Sequence, residues 1–249
     1  MRSGPDTQQM RPIYPAHPRG ADEIVLVYLG IMGPQDRVDQ VLEVMDELVN
    51  KRGRTNIGAT LMGFGDCLEG LKRQSTEMGL DDYVTFTGRV DRVAIAEYLS
   101  RSDIGLCPDA KTALNDLSTM NKTMEYMAYG LPSVSFDLLE TRVSGGDAVR
   151  YVPSGDIVAF ADEVELLIAD SSTRVKMGRL ARERVVSELD WRPQAEAYVS
   201  VLDDVSGFSR AGSAVPSNGL FGLTDAQGRT YVDLDGEEFD RYLVERRAI

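Results

Sequence analysis

The chain has 249 residues, enough for one large domain or two small ones with a buried core. Its 43% hydrophobic and 27% charged residues are the mix of a soluble globular protein, and a net charge of −13 argues against a nucleic-acid partner, which needs a dense basic face. No apolar run approaches the ~20 residues that span a bilayer, and residues 1–22 lack the form of a signal peptide. The expectation is a cytoplasmic protein with at most peripheral membrane contact.

Residues 1–22, rich in proline and without hydrophobic periodicity, read as a linker. The run from Ile24 to Leu29 has the continuous apolar character of a parallel strand buried on both faces, and Gly30 ends it. Val38, Val41, Leu42, Met45 and Leu48 then recur at helical spacing over 35–50. The unit repeats. A second strand near 57–62 ends in Gly63-Phe64-Gly65-Asp66 and precedes a helix through Leu68, Leu71 and Met78. A third, Val84-Thr85-Phe86, precedes a helix with Ile95, Tyr98 and Leu99, and a fourth, 104–107, runs into a polar loop and a helix over about 120–129. A fifth follows at 133–136 and a sixth near 149–152. Strands alternating with helices predict a doubly wound, Rossmann-like parallel α/β sheet of about six strands.

Helices are expected near 160–169, 173–187 and 192–204, the last two separated at Trp191-Arg192-Pro193. The division is then a linker over 1–22, one α/β domain over 23–190, a helix over 191–206 and a flexible tail over 207–249. A Gly/Ser/Ala-rich stretch opens that tail, with a hairpin about Gly228 or a short helix near 239–247 beyond it.

Ligands of open parallel sheets bind beyond the carboxyl ends of the strands. Three such ends carry small residues: Gly30 to Gly33, Gly63 to Gly65, and the loop 108–121. In the last, Ser118 or Thr119 is placed to cap the following helix, with Lys122 one turn in. Free amides and a lysine suit a phosphate, and an ordinary N-cap with a solvated lysine fits the same residues. Glu125, three residues after Lys122, suits the hydroxyls of a ribose or a surface ion pair with Lys122. Cys67 and Cys107 read as inert thiols, His17 as a lone surface residue, and no metal-ligand spacing is present.

Read together, these segments resemble the second domain of GT-B glycosyltransferases, in the large retaining family (group 1, or family four) that includes sucrose synthase and bacterial mannosyltransferases. The similarity is collinear over roughly 1–205: 61–66, 84–90, 99–108, 124–132 and 188–191 each match a family segment in order, with Met124 to Pro132 the most telling. The resemblance implies transfer of a hexosyl group with retention from a UDP- or GDP-hexose, without a metal or other cofactor. It places Glu125 on the donor ribose, Ser118 and Thr119 on the diphosphate, and Arg89 and Val90 beside the base.

Three departures stand out. The family pairs two glutamates with seven residues between; counting back from Glu125 lands on Leu117, and the nearest carboxylate is Asp116. The family's basic pair after the first strand is replaced by Ile31 and Asp36, which assigns that charge to Lys122, helped by Arg37. Finally, the chain starts where the resemblance puts the link between two domains. The expectation is therefore a donor half whose acceptor domain lies elsewhere: a shortened chain, one subunit of a split enzyme, or a remnant. An exposed apolar strip and possible homodimerisation follow. A non-catalytic GT-B-like interaction module is the competing reading, and a nucleotide-sugar epimerase a third.

Overall fold

The computed structural model describes residues 3–16, 22–207, 228–234 and 237–246. Six strands, β1 (Ile24–Ile31), β2 (Ile57–Phe64), β3 (Val84–Gly88), β4 (Ile104–Cys107), β5 (Ser133–Phe136) and β6 (Val149–Val152), form one sheet in the order β3-β2-β1-β4-β5-β6. Every pairing is parallel. The continuous apolar run of β1 is explained by burial on both faces: Leu26 and Tyr28 pack with Leu42, Met45 and Phe160, while Val27 packs with Leu99, Met124 and Tyr126.

The helices are α1 (Asp39–Asp46), α2 (Leu68–Glu77), α3 (Arg92–Ser100), α4 (Asn121–Ala128), α5 (Leu139–Gly145), α6 (Ile157–Ala169), α7 (Ser171–Glu188), α8 (Trp191–Ser206) and α9 (Glu237–Glu245). The helix expected over 35–50 is broken. A 3-10 turn at Pro34–Asp36 ends in Arg37, whose φ of 48° is left-handed, and α1 starts afterwards and continues through a π-helical turn, Glu47–Lys51. Helix α5 gives no sequence signal because its apolar residues Leu139 and Val143 face outward while the small Thr141, Ser144 and Gly145 are buried. Between α7 and α8, Asp190 accepts the Arg192 amide at 2.8 Å, and Pro193 sits in the first turn, where an N–H is not needed.

Residues 3–16 are packed against the domain. The Thr7 amide donates to Asp190 at 3.2 Å, and buried Arg182 donates to the carbonyls of Thr7, Met10 and Ala128. The described part of the tail is likewise held. Tyr231 pairs antiparallel with Ile13, Asp240 lies 2.6 Å from Arg179, and Arg246 donates to the carbonyls of Ser102, Tyr129 and Gly130. Residues 3–16, expected as a free linker, are thus packed, and the short helix expected near 239–247 is present as α9 and docked: apolar Ile13 and Leu243 are buried, so the segments gain more from packing than from chain freedom. The Gly/Ser/Ala-rich stretch at 208–227 and His17 lie outside the described residues. No residue of α8 is buried, and its Tyr198, Val201 and Leu202 are exposed.

Strand order reverses between β1 and β4, which pair at only two positions, Leu26 with Ile104 and Val27 with Gly105. Beyond them a side chain from α4 continues the junction. The Tyr126 hydroxyl accepts the Leu29 amide at 2.9 Å and donates to the Leu106 carbonyl at 3.2 Å. The ring reaches this point because β4 offers a glycine there; a Cβ on Gly105 would lie 2.4 Å from it. Tyr126→Phe strands two buried backbone groups and is expected to cost about 1–3 kcal/mol. Urea denaturation measures this, and an unchanged midpoint would show that the junction holds without the hydroxyl.

Candidate functional site

The reversal point between β1 and β4 opens the crevice where ligands of such sheets bind. Of the glycines expected there, Gly63 and Gly65 serve strand packing. Both have left-handed φ, 152° and 154°, and a Cβ would fall 1.8 Å from the Gly30 carbonyl oxygen and 2.6 Å from that of Met32. The turn after β1 lies directly on the turn after β2, with the Met32 amide donating to Phe64 O at 2.9 Å. The Gly33 amide is also committed, donating to Asp36 Oδ2 at 3.0 Å. Gly30 differs: its missing side chain makes room for side chains, since a Cβ would lie 2.9 Å from the Tyr28 hydroxyl and 3.2 Å from Lys122 Cε.

Lys122 is a buried cation, contrary to the solvated alternative. It lies in the first turn of α4, and its Nζ donates to Asp109 Oδ1 at 2.6 Å and sits 5.4 Å from the Tyr28 ring centroid. Burial opposes the ammonium, but Asp109, Cys107 and Asp36 outweigh it and hold its pKa above the ordinary lysine value. Lys122 forms no ion pair with Glu125. The half-buried Glu125 carboxyl engages in no hydrogen bond or ion pair with any described residue, and burial pushes its pKa up against the pull of Lys122.

The loop before α4 departs from expectation. The N-cap is Met120, with no side-chain cap, instead of Ser118 or Thr119. The reason is local: Ser118 Oγ donates to Leu114 O at 2.7 Å, closing the 3-10 turn Asn115–Leu117, and Thr119 Oγ1 meets Glu140 at 3.5 Å. The first amides of α4 therefore have no capping side chain. The Asp116 carboxylate accepts the Leu139 amide at 2.7 Å at the start of α5 and lies 3.4 Å from Lys111, so it is occupied by the loop itself. Arg37 is bound by Asp39 at 3.0 Å and is not directed to the site. Exposed Arg89 stacks 4.9 Å from the Phe64 ring centroid, and Val90 packs on the core cluster under α3 and α4. Burial raises the Cys107 thiol to about 12, the state of an inert cysteine.

Sequence reasoning missed Asp109 and Tyr28. The available signal was an acid two residues after the apolar run of β4, at the strand end facing the reversal. Among the described residues, no group of His, Cys, Asp and Glu is placed to hold a metal ion, and no helix is long and apolar enough to cross a membrane. A cavity of about 600 Å3 lies at the other end of the sheet, against Asp103, Pro132, Lys176 and Arg246, and is separate from this crevice.

A six-stranded parallel sheet of this order, with its crevice at the β1/β4 reversal, defines a doubly wound, Rossmann-like domain. The model of the family described as glycosyl transferases group 1 matches residues 23–170, and the chain belongs to that family. The amylovoran biosynthesis glycosyltransferase AmsK of Erwinia amylovora is 33% identical over 151 residues, 58% of this chain and 36% of that protein. Sucrose-phosphate synthase from Thermosynechococcus elongatus superposes with a TM-score of 0.65 at 20% identity, over 83% of this chain and 52% of that one. The C-terminal domain of the group 1 glycosyl transferase LpcC from Francisella tularensis gives 0.60 at 20% identity, over 74% of this chain and 98% of that domain. The chain thus spans about a third to a half of the curated relatives it matches.

Removing one partner of the buried pair is expected to be costly. Lys122→Met leaves Asp109 as an uncompensated buried charge and should lose about 3–5 kcal/mol, much of it regained in Asp109→Leu/Lys122→Met. Equilibrium denaturation of both single variants and the double checks this; a double loss equal to the sum of the single losses would mean that the two residues are not energetically coupled.

Proposed function

We propose that this chain supplies the donor half of a retaining glycosyltransferase, taking a UDP- or GDP-hexose, with the acceptor held by a further domain or subunit. The observation that carries the reading is the pairing of roles on α4: a buried Lys122 ammonium at the strand reversal, and one turn later a Glu125 carboxyl without a partner among the described residues. The likeness to an isolated C-terminal domain of a group 1 enzyme supports the division into halves.

In this reading Lys122 and the uncapped amides of α4 stabilise the negative charge that grows on the leaving diphosphate as the sugar–phosphate bond breaks. Glu125 accepts the ribose hydroxyls. Arg89, stacked on Phe64, and Val90 border the base. Ser118, Thr119 and Asp116 act through the shape of the loop, since their side chains are bonded within it. Participation in the synthesis of cell-envelope polysaccharide is proposed from relatives such as a lipopolysaccharide core biosynthesis glycosyltransferase of Rhizobium meliloti. The competing reading, a non-catalytic module, draws on that same loop: its polar side chains are spent on structure and Leu117 stands exposed among them.

Calorimetric titration with UDP and GDP, beside Glu125→Ala, separates the two. Donor binding predicts micromolar to low-millimolar affinity for one nucleotide, weakened about tenfold or more by Glu125→Ala through loss of a charged hydrogen bond. No binding of either nucleotide to the folded protein would leave the interaction module. Because the ribose needs an ionised acceptor and the Glu125 pKa is raised, affinity should fall on acidification at a higher pH than an ordinary glutamate gives. Titrations at stepped pH would read this, and a flat profile down to ordinary glutamate values would exclude Glu125 as the acceptor.

A further inference from the structure

Asp109 follows β4 at the reversal point. Its Oδ1 accepts from Lys122 Nζ at 2.6 Å, while its Oδ2 is buried and has no hydrogen-bond partner among the described residues. A structural ion pair in a core is stabilising only when its remaining lone pairs are also satisfied. This one is left half satisfied, beside a lysine that crosses over Gly30 toward the crevice. Such an arrangement is costly as a brace and suited to holding a charge ready.

The groups facing the ammonium come from four elements. Tyr28 lies on β1, Asp36 on the 3-10 turn after it, Cys107 and Asp109 at the end of β4, and Glu125 one turn further along α4. Asp109 is the one carboxylate in contact with Lys122. Asp36 gives its oxygen to the Gly33 amide and is itself pushed up by burial. Resting on the donor-binding reading above, we propose that Asp109 is a positioning residue for the diphosphate: it fixes the Lys122 ammonium, in place and charged, where a nucleoside diphosphate enters the crevice.

The variants Asp109→Asn, Asp109→Asn/Lys122→Arg and Asp109→Glu are compared with the wild type by calorimetry, with UDP, GDP and the two nucleosides as ligands. In D109N the buried ammonium loses its counter-ion and titrates below the ordinary lysine range, so diphosphate binding should weaken about tenfold or more between about pH 7 and about pH 9. The wild type should stay flat over that window. Neither Cys107, pushed to about 12, nor Tyr28, held above the ordinary tyrosine range, changes charge there. Lys122→Arg in the D109N background should restore a flat profile, because a guanidinium stays charged. D109E keeps the charge but moves it, so should weaken diphosphate about tenfold at every pH and leave nucleoside affinity unchanged. It also serves if D109N does not fold.

A merely structural Asp109 moves nucleoside and diphosphate affinities together and gives no pH slope; that outcome overturns the proposal while leaving the donor site intact. Wild-type binding of neither UDP nor GDP overturns the donor reading itself, and this proposal with it.

Discussion

The Tyr126 hydroxyl, bonded to Leu29 on one strand and Leu106 on the other, is the interaction on which the candidate site rests. A doubly wound sheet reverses direction at one junction, and there the two inner strands carry their chains away from each other. A backbone ladder continued to the strand ends would close the gap and leave nothing to bind. A ladder that simply stopped would leave buried N–H and C=O groups unpaired. A phenol from the helix after β4 satisfies both groups without closing the crevice. It also fixes α4 against the sheet, and α4 is the element that carries Lys122 and Glu125. Gly105 is the complement of that ring: β4 gives up a side chain so that the strand junction can be bridged from the helix.

The same helix sets the electrostatics. In a chain of net charge −13, any site for an anion has to be built locally. Burying a lysine raises the strength of its field and threatens its charge at once. Asp109 resolves the second problem at the cost of part of the first, because a paired ammonium attracts less than a bare one. The left-over oxygen of Asp109 and the Asp36 carboxyl, pushed up by burial, record how far the junction's acids are taken out of water. Gly30 leaves room for the side chains of Tyr28 and Lys122, whereas Gly63 and Gly65 are required by the backbone of the neighbouring turn.

The strands were legible because a parallel strand buried on both faces writes a continuous apolar run; β4 and β5 fall where those runs lie. The amphipathic helices were legible for the matching reason. Helix α5 was not, since its apolar side chains point outward and its buried face is made of small polar residues. The loop failed for a different cause. Ser118 and Thr119 have the chemistry of an N-cap, but the 3-10 turn ahead of them claims the first and Glu140 faces the second. Propensity names what a hydroxyl is able to do, and the neighbouring turn decides which bond it makes. Asp109 was invisible because its meaning depends on a contact thirteen residues away, across the reversal.

The two ends of the sheet are treated differently, and this bears on where function lies. At the amino end, Arg246 and Arg182 spend their donors on backbone carbonyls from several segments, and the tail and residues 3–16 close over them. That end is braced. At the carboxyl end, Ile31 and its register partner Phe64 are exposed, and Leu114 and Leu117 are each 70% exposed on the loop before α4. Water does not favour such a rim, and nothing in the packing of this domain needs it. Glu125, which bonds to no described residue, and the free oxygen of Asp109 lie at this end too, although Arg182 and Arg246 each keep an unpaired Nε at the other. One end of the sheet is thus closed by packed segments, while the other leaves an apolar rim exposed beside the buried Lys122 and Asp109 pair.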